Sequence, residues 1–378
     1  MFNTQALKKV SQLARVKLRS WDDFRKIPIA TREDIKAFAA RGLGDDAFNV
    51  TATSGSTSSR LVIVHSRQAY DAHLKRLTKI YRQVGAKPGV LCLNLCSYEL
   101  NSGGRLMEAA YKAAGCGVIP LGPISTPEKV TEAVRLIIAL KPTMVNAYTN
   151  QLYDLFSALG CKHPIRRCVV NGELLWPEYR KRIEQLGNVD VHDHYGAMEV
   201  SGFAIALRSN DEWMKVTPHG LLLEVLQENK TAAATGTGDL LVTDLNNTCL
   251  PFIRYRLGDR VELVRRKGAL WVKVLGRTED SILVNGVVIM KQDLVRAAGD
   301  FLRHPRFFFI ITKDPVKYYD RIIINVAGSL KETPAELAAA IVASVGMDKC
   351  LDVRLYKGEL PRTPNGKINY FIDARKEK

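Results

Sequence analysis

Arg166–Glu199 reads RRCVVNGELLWPEYRKRIEQLGNVDVHDHYGAME. Arg166–Val170 is a short apolar run with strand character. Pro177–Leu186 carries helical periodicity behind a proline at its first position, and Val189–Asp193 is a second strand. A strand, a helix and a strand in succession form one βαβ unit, whose two strands lie parallel in one sheet. The alternation continues upstream. Strands are expected at Val90–Cys96, Gly117–Leu121 and Thr143–Ala147, with helices at Gly104–Ala114, Pro127–Leu140 and Gln151–Leu159; Thr126 caps the second of these helices. The fold class is therefore α/β, a mostly parallel sheet covered by helices. Ligands of such sheets bind beyond the carboxyl ends of the strands, which singles out the loops after Val170 and Asp193.

After Gly202 the pattern becomes β-rich. Leu221–Leu226, Leu240–Leu245, Val261–Val264 and Leu270–Leu275 are expected strands of a smaller, largely antiparallel subdomain over about 203–276. Ser281–Val284 and Val287–Met290 flank Asn285–Gly286, a two-residue hairpin signal. A helix at Gln292–Leu302, strands at Phe307–Thr312 and Arg321–Val326, a helix at Pro334–Val345 and a strand at Leu351–Tyr356 complete a compact α+β unit. The expected organisation is a large domain over 1–276 and a small, mobile C-terminal lid domain over 277–378.

The 378 residues are 46% hydrophobic and 25% charged, enough for a large core. Fifty-five Lys+Arg against 39 Asp+Glu give +16, a basic surface suited to an anionic partner. No run approaches the ~20 apolar residues of a membrane span. The seven cysteines are scattered without a C-x-x-C pair, which excludes a zinc ribbon or redox pair and favours buried thiols in the cytoplasm. Residues 1–20 contain no acid, as in a transit peptide, but Leu7, Val10, Leu13 and Val16 share one stripe, and an amphipathic helix is expected.

Six segments carry chemistry. Thr51–Arg60 sets seven hydroxyl side chains around one glycine and ends on Arg60, a composition able to wrap phosphate oxygens without being a Walker loop. Asn171-Gly172-Glu173 follows a buried strand, and its glycine permits close ligand approach. His192–Glu199 ends the next strand with an aromatic and a carboxylate; His192 and His194 are expected on opposite faces of that strand, and so not as a joint metal site. Pro251–Asp259 offers an aspartate after glycine, suited to vicinal ribose hydroxyls. Gly276–Asp280 sits at the proposed domain boundary. Pro361–Lys367 is a tight exposed loop presenting a lysine.

In this order the segments resemble the adenylate-forming superfamily, which includes acyl-CoA synthetases, peptide-synthetase adenylation domains and luciferases. The branch most similar is that of the phenylacetate–CoA ligases, and in size and layout the chain is similar to the compact indoleacetate–lysine ligase type. The likeness runs from Ile27–Asp34, similar to the branch's opening segment, to Lys367. It implies that Thr53, Ser54, Gly55, Ser56 and Thr57 grip ATP phosphates. Ser58 replaces the usual next glycine and the expected lysine is missing, which leaves Arg60 as a substitute cation. Asn171, Gly172 and Glu173 match the adenine-side segment. Tyr195, Gly196 and Glu199 match Y-G-x-[ST]-E, with Met198 in place of the hydroxyl residue and Glu199 as the implied Mg²⁺ ligand. Asp259 matches the ribose aspartate, Arg277 the arginine that contacts ribose or phosphate, Glu279 the hinge and Lys367 the adenylation lysine.

The implied activity is ATP-dependent conversion of a small carboxylic acid to an acyl adenylate, then transfer to a thiol of coenzyme A or of a phosphopantetheinyl acidic carrier protein. Tyr98, Asn101, Tyr148, Ala197 and Met198 are expected around the acid and favour an aromatic or small polar one. Capture by an amine acceptor, forming an amide, is the alternative. A non-catalytic nucleic-acid-binding protein on the same fold is a remote one; otherwise nucleic acid is not an expected partner.

Overall fold

The computed structural model describes residues 3–376 except 41, 43–44, 54–60, 101–102, 173–174, 209–210, 278–280, 285–286, 314–319, 329, 331–332, 346–350 and 363–366. Helices α1 (Thr4–Ala14), α2 (Trp21–Arg25) and α3 (Arg32–Ala39) open it. Ser20 with Asp23, and Thr31 with Asp34, form capping boxes that satisfy the free N–H groups of α2 and α3. Helix α1 buries Ala6 and Val10 against Phe24 and Leu222. The expected stripe is cut short there: Arg15 turns left-handed, and Val16 lies beyond the helix, 53% exposed.

A hairpin of β1 (Ala47–Ala52) and β2 (Val62–Ser66), missed as a pair in the sequence, leads into α4 (Arg67–Gln83). The expected alternation follows: β3 (Leu91–Asn94), α5 (Gly104–Ala113), β4 (Gly117–Pro120), α6 (Pro127–Leu140), β5 (Met144–Ala147), α7 (Thr149–Leu159), β6 (Arg167–Asn171), α8 (Pro177–Gly187) and β7 (Asp190–Ala197). These five strands pair in parallel in the order β4-β3-β5-β6-β7. Strand β5 is buried along its whole length, as a strand covered on both faces must be.

The β-rich stretch comprises β8 (Ser201–Ile205), β9 (Met214–Val216), β10 (Leu221–Leu226), β11 (Ala232–Ala233), β12 (Gly236–Asp244), β13 (Tyr255–Arg266) and β14 (Ala269–Arg277). Its strands do not stand apart. Strand β8 turns back antiparallel on β7, and one sheet of twelve strands runs β11-β10-β12-β13-β14-β9-β8-β7-β6-β5-β3-β4. Two glycines make the joint: Gly196 and Gly202 pair across it, and a Cβ on Gly196 would drive into the Gly202 backbone.

The remainder contains the hairpin β15 (Ser281–Val284) and β16 (Val287–Met290), then α9 (Lys291–Leu302), β17 (Phe307–Lys313), β18 (Asp320–Ala327), α10 (Pro334–Val345), β19 (Leu351–Tyr356) and β20 (Phe371–Asp373). A four-stranded sheet runs β19-β18-β17-β20. Its apolar side chains join those of α7, α8 and the parallel strands in one cluster. Trp176, 2% exposed, seats its ring on Gly299 of α9, where any Cβ would collide with it. Of the described cysteines five are buried and Cys161 is exposed. No helix among the described residues is long and apolar enough to cross a membrane.

Candidate active site

A cleft of about 1500 Å³ opens beyond the carboxyl ends of the parallel strands. Among its walls are Thr53, Tyr148, Asn171, Gly172, Tyr195, Gly196, Ala197, Met198, Glu199, Asp259, Arg277 and Lys367. Every expected site residue that the structure describes is therefore in one place, except Tyr98. That side chain instead accepts a hydrogen bond from Asn94 Nδ2 at 2.7 Å and bonds Glu108, while Glu99 and Leu100 reach the cleft. Ser54, Gly55, Ser56, Thr57, Arg60, Asn101, Glu173 and Glu279 lie outside the described residues.

The geometry at one end is set by strand register. Asp259 on β13 and Arg277 on β14 are cross-strand partners, with Arg277 Nε 3.3 Å from Asp259 Oδ1. Tyr195 donates its hydroxyl to Asp259 Oδ2 at 2.7 Å, although three strands lie between β13 and β7 in sheet order. A flat sheet would hold those strands about 19 Å apart, so the sheet curls to bring them together. Burial raises the Asp259 carboxyl above its ordinary value, while Arg277 and the Tyr195 hydroxyl pull the other way. Glu199, 6% exposed, is raised by burial too, against the pull of Arg277, Arg32 and a 3.3 Å hydrogen bond from the Tyr255 hydroxyl.

Lys367 arrives from the far end of the sequence. Its ammonium donates to the Gly172 carbonyl at 2.5 Å and lies 4.9 Å from the centre of the Tyr148 ring. Gly172 has φ +73°, a conformation that disfavours other residues, and a Cβ there would sit 2.5 Å from Lys367 Nζ. The glycine thus serves both the turn and the approach of the lysine. Below it, Asn171 is tied to Asn146 Oδ1 and the Ala147 carbonyl, both at 3.4 Å.

The proposed phosphate loop turns out to link β1 to β2. Its base is closed by backbone pairing of Thr53 with Leu61 and by Arg32 Nη2, which donates to Thr53 Oγ1 at 2.9 Å. Arg32 was overlooked in the sequence; the signal was a cation within Ile27–Asp34. Tyr255 was overlooked too, four residues before Asp259. So was Asp193, which lines the cleft with its carboxyl pushed up to about 6 by burial.

His192 and His194 share one face rather than opposing each other, because two residues make a full strand period. His192 pairs with Val169, which belongs to the same apolar cluster as Tyr81, and the His194 ring lies 5.5 Å from Tyr81. Among the described residues no group of three or more His, Cys, Asp or Glu is placed to hold a metal.

The sheet thus gathers a tyrosine, an aspartate, a buried glutamate and a distant lysine around one cleft. In sequence the chain is similar to phenylacetate–coenzyme A ligases, and its fold is that of solved adenylate-forming ligases. No protein-family model matches it. It is 25% identical to the phenylacetate–coenzyme A ligase of Escherichia coli over 73% of this chain and 66% of that protein, so it spans about two thirds of that relative's length. It is 23% identical to the phenylacetate–coenzyme A ligase of Thermus thermophilus over 95% of this chain and 88% of that one.

Among solved structures, 2-hydroxyisobutyryl-CoA ligase in its postadenylation state with R3-HIB-AMP aligns over 98% of this chain and 85% of its own, at TM-score 0.80 and 18% identity. The same ligase in its thioesterification state gives 0.65. The amide bond synthetase McbA of Marinactinospora thermotolerans gives 0.61 at 19% identity, over 85% of this chain and 67% of its own.

Proposed function

We propose that this chain is an AMP-forming ligase: it activates a small carboxylic acid as its acyl adenylate and passes the acyl group to the thiol of coenzyme A or a phosphopantetheinyl carrier. The observation that carries the reading is Lys367, whose ammonium reaches Gly172 across 195 residues of sequence, into the cleft that holds Asp259 and Glu199.

The ribose hydroxyls take Asp259, held in place by Tyr195 and Arg277, and the adenine lies along Asn171 and Gly172. An oxygen of the acid attacks the α-phosphorus, and the bond to the leaving pyrophosphate breaks with its electron pair. No proton has to move, so alignment and charge neutralisation do the catalysis. Lys367 supplies a positive charge at the reacting end. Arg32, docked at the base of the phosphate loop, supplies one where the loop lacks its lysine. Magnesium fits Glu199, a buried hard-oxygen donor that makes no ion pair among the described residues. An ion there would be held by one carboxylate together with substrate phosphates. Bound there, it neutralises phosphate charge.

In the second half-reaction the thiol sulfur attacks the acyl carbon and AMP departs. The unit 277–378 swings about Glu279 for this step and withdraws Lys367. The present arrangement is nearer to that of 2-hydroxyisobutyryl-CoA ligase in its postadenylation state than in its thioesterification state. The likeness to an amide bond synthetase fits the second reading, capture by an amine.

A panel of acids with ATP and Mg²⁺ tests the first step: acid-dependent pyrophosphate release is expected, and none with any acid overturns the reading. Coenzyme A and free amino acids, offered in parallel, decide the acceptor. Salt-sensitive DNA or RNA binding without AMP release would support the nucleic-acid alternative instead.

A further inference from the structure

Past Gly196 and Met198 the cleft continues between α4, the first turn of α5 and the β7–β8 joint, where His65, His73, Leu77, Met107 and His194 line it. The walls alternate hydrocarbon with imidazole. His73 is spent: its Nε2 lies 2.8 Å from Asp244 Oδ2. His65 hydrogen-bonds the Met198 backbone but leaves Nδ1 without a partner among the described residues. His194 leaves both ring nitrogens without one, although it is only 3% exposed. Buried polar atoms in this state are uncommon, because water's hydrogen bonds are lost and nothing replaces them.

The backbone places His194 there. Strand alternation sends Tyr195 toward Asp259 and sends His194, one residue earlier, to the α4 side. Gly202 makes room for the ring, since a Cβ there would run into His194 Nε2. A leucine would fill the same space beside Leu77 and Tyr81 without stranding two nitrogens.

We propose that the acyl part of the substrate carries a neutral hydrogen-bonding substituent, in the simplest case a hydroxyl group, and that His194, with His65 beside it, is the specificity-determining residue that receives it. The inference rests on the adenylating reading of the site. An uncharged imidazole offers one donor and one acceptor, the complement of a hydroxyl group. Burial holds both rings in the uncharged form at neutral pH. The charges that bear most directly on the two rings are already committed. The nearby Arg76 guanidinium is spent on the carbonyls of Gly202, His219 and Val200, and Asp244 on His73.

The test offers the full chain pairs of acids that differ only in one hydroxyl group, on aromatic and on branched aliphatic skeletons, with ATP and Mg²⁺. Pyrophosphate release is read as kcat/KM. In at least one pair the hydroxylated acid is preferred by at least ~10-fold. His194→Leu brings that ratio to within about twofold, and His194→Gln, which keeps a donor and an acceptor, retains most of it. Equal or better use of the unhydroxylated acid in every pair overturns this inference and leaves adenylation standing. A ratio untouched by His194→Leu overturns the role of His194. Turnover of no acid at all overturns the adenylating reading and this inference with it. Should His194→Leu fail to fold, the ratio of the unmodified chain still decides the class of acid.

Discussion

The two ends of the cleft are built on opposite rules. At the end proposed for the nucleotide each charged group already has a hydrogen-bonding or ionic partner: Asp259 between Tyr195 and Arg277, Glu199 under Tyr255, Lys367 on the Gly172 carbonyl. At the end proposed for the acyl group sit uncharged imidazoles, and His194 and His65 keep nitrogens with no partner among the described residues. The difference follows from what each state costs. A buried, unpaired charge costs several kcal/mol, so a charged site must be assembled before its ligand arrives. An orphaned neutral group costs about 1–3 kcal/mol, a cost that a fold can carry while it waits. Preorganisation suits the proposed nucleotide, and waiting groups suit the proposed acyl substituent.

That contrast can be broken by substitution, beginning with the largest effect. Lys367→Ala lowers acid-dependent pyrophosphate exchange by ~10³-fold, about 4 kcal/mol of barrier, yet leaves acyl transfer from added acyl adenylate in place. Near-normal exchange would remove the lysine from the chemistry. Glu199→Gln costs about 10²-fold in the same assay and raises the Mg²⁺ concentration needed for half activity; an unchanged Mg²⁺ dependence would reassign the metal. Asp259→Asn raises KM for ATP by ~10-fold, on the order of the 1.5–3 kcal/mol of a charge-assisted hydrogen bond, with little change in KM for the acid. Arg32→Ala weakens ATP by several-fold, roughly 1 kcal/mol, and pyrophosphate inhibition weakens in parallel. If neither moves, Arg32 merely ties the loop.

Asp193 bears on stability rather than on turnover and sharpens the boundary between the two ends, because it is an acid in the cleft whose carboxyl burial holds near 6 against the pull of Arg180. A carboxyl raised by folding binds its proton more tightly folded than unfolded. Its contribution to stability is therefore full below about pH 4 and is lost as pH climbs through about 6. Asp193→Asn escapes that loss: its unfolding free energy, relative to the unmodified chain, rises between pH 4 and 6 and then levels. Urea titrations at pH 4, 5, 6 and 7 check it, and a flat difference would mean that Asp193 titrates normally.

Much of this architecture was legible in the residues. The parallel strands announce themselves because burial on both faces demands unbroken apolar runs, and Pro127, Pro177 and Pro334 each open a helix where sequence places them. The short β9 and β11 carry too few residues for any period, and the β1–β2 hairpin is hidden by a long connecting loop. The site was legible wherever a motif keeps its residues contiguous, as in Tyr195–Glu199. Arg32 and Tyr255 were not, since their roles arise only when α3 and β13 are brought to the phosphate loop and to Glu199. Tyr98 fails for the converse reason. Its neighbours reach the cleft, but its hydroxyl is claimed by Asn94. The faces of His192 and His194 were misjudged through the strand period itself.

Trp176 lies on the surface that the proposed lid, residues 277–378, would leave. Its indole is wedged into α9 at Gly299 while another edge borders the cleft. Under the proposed swing of residues 277–378 that ring loses its apolar cover and is wetted. The emission of one indole should therefore shift to the red in step with turnover, an optical clock already wired to the moving part.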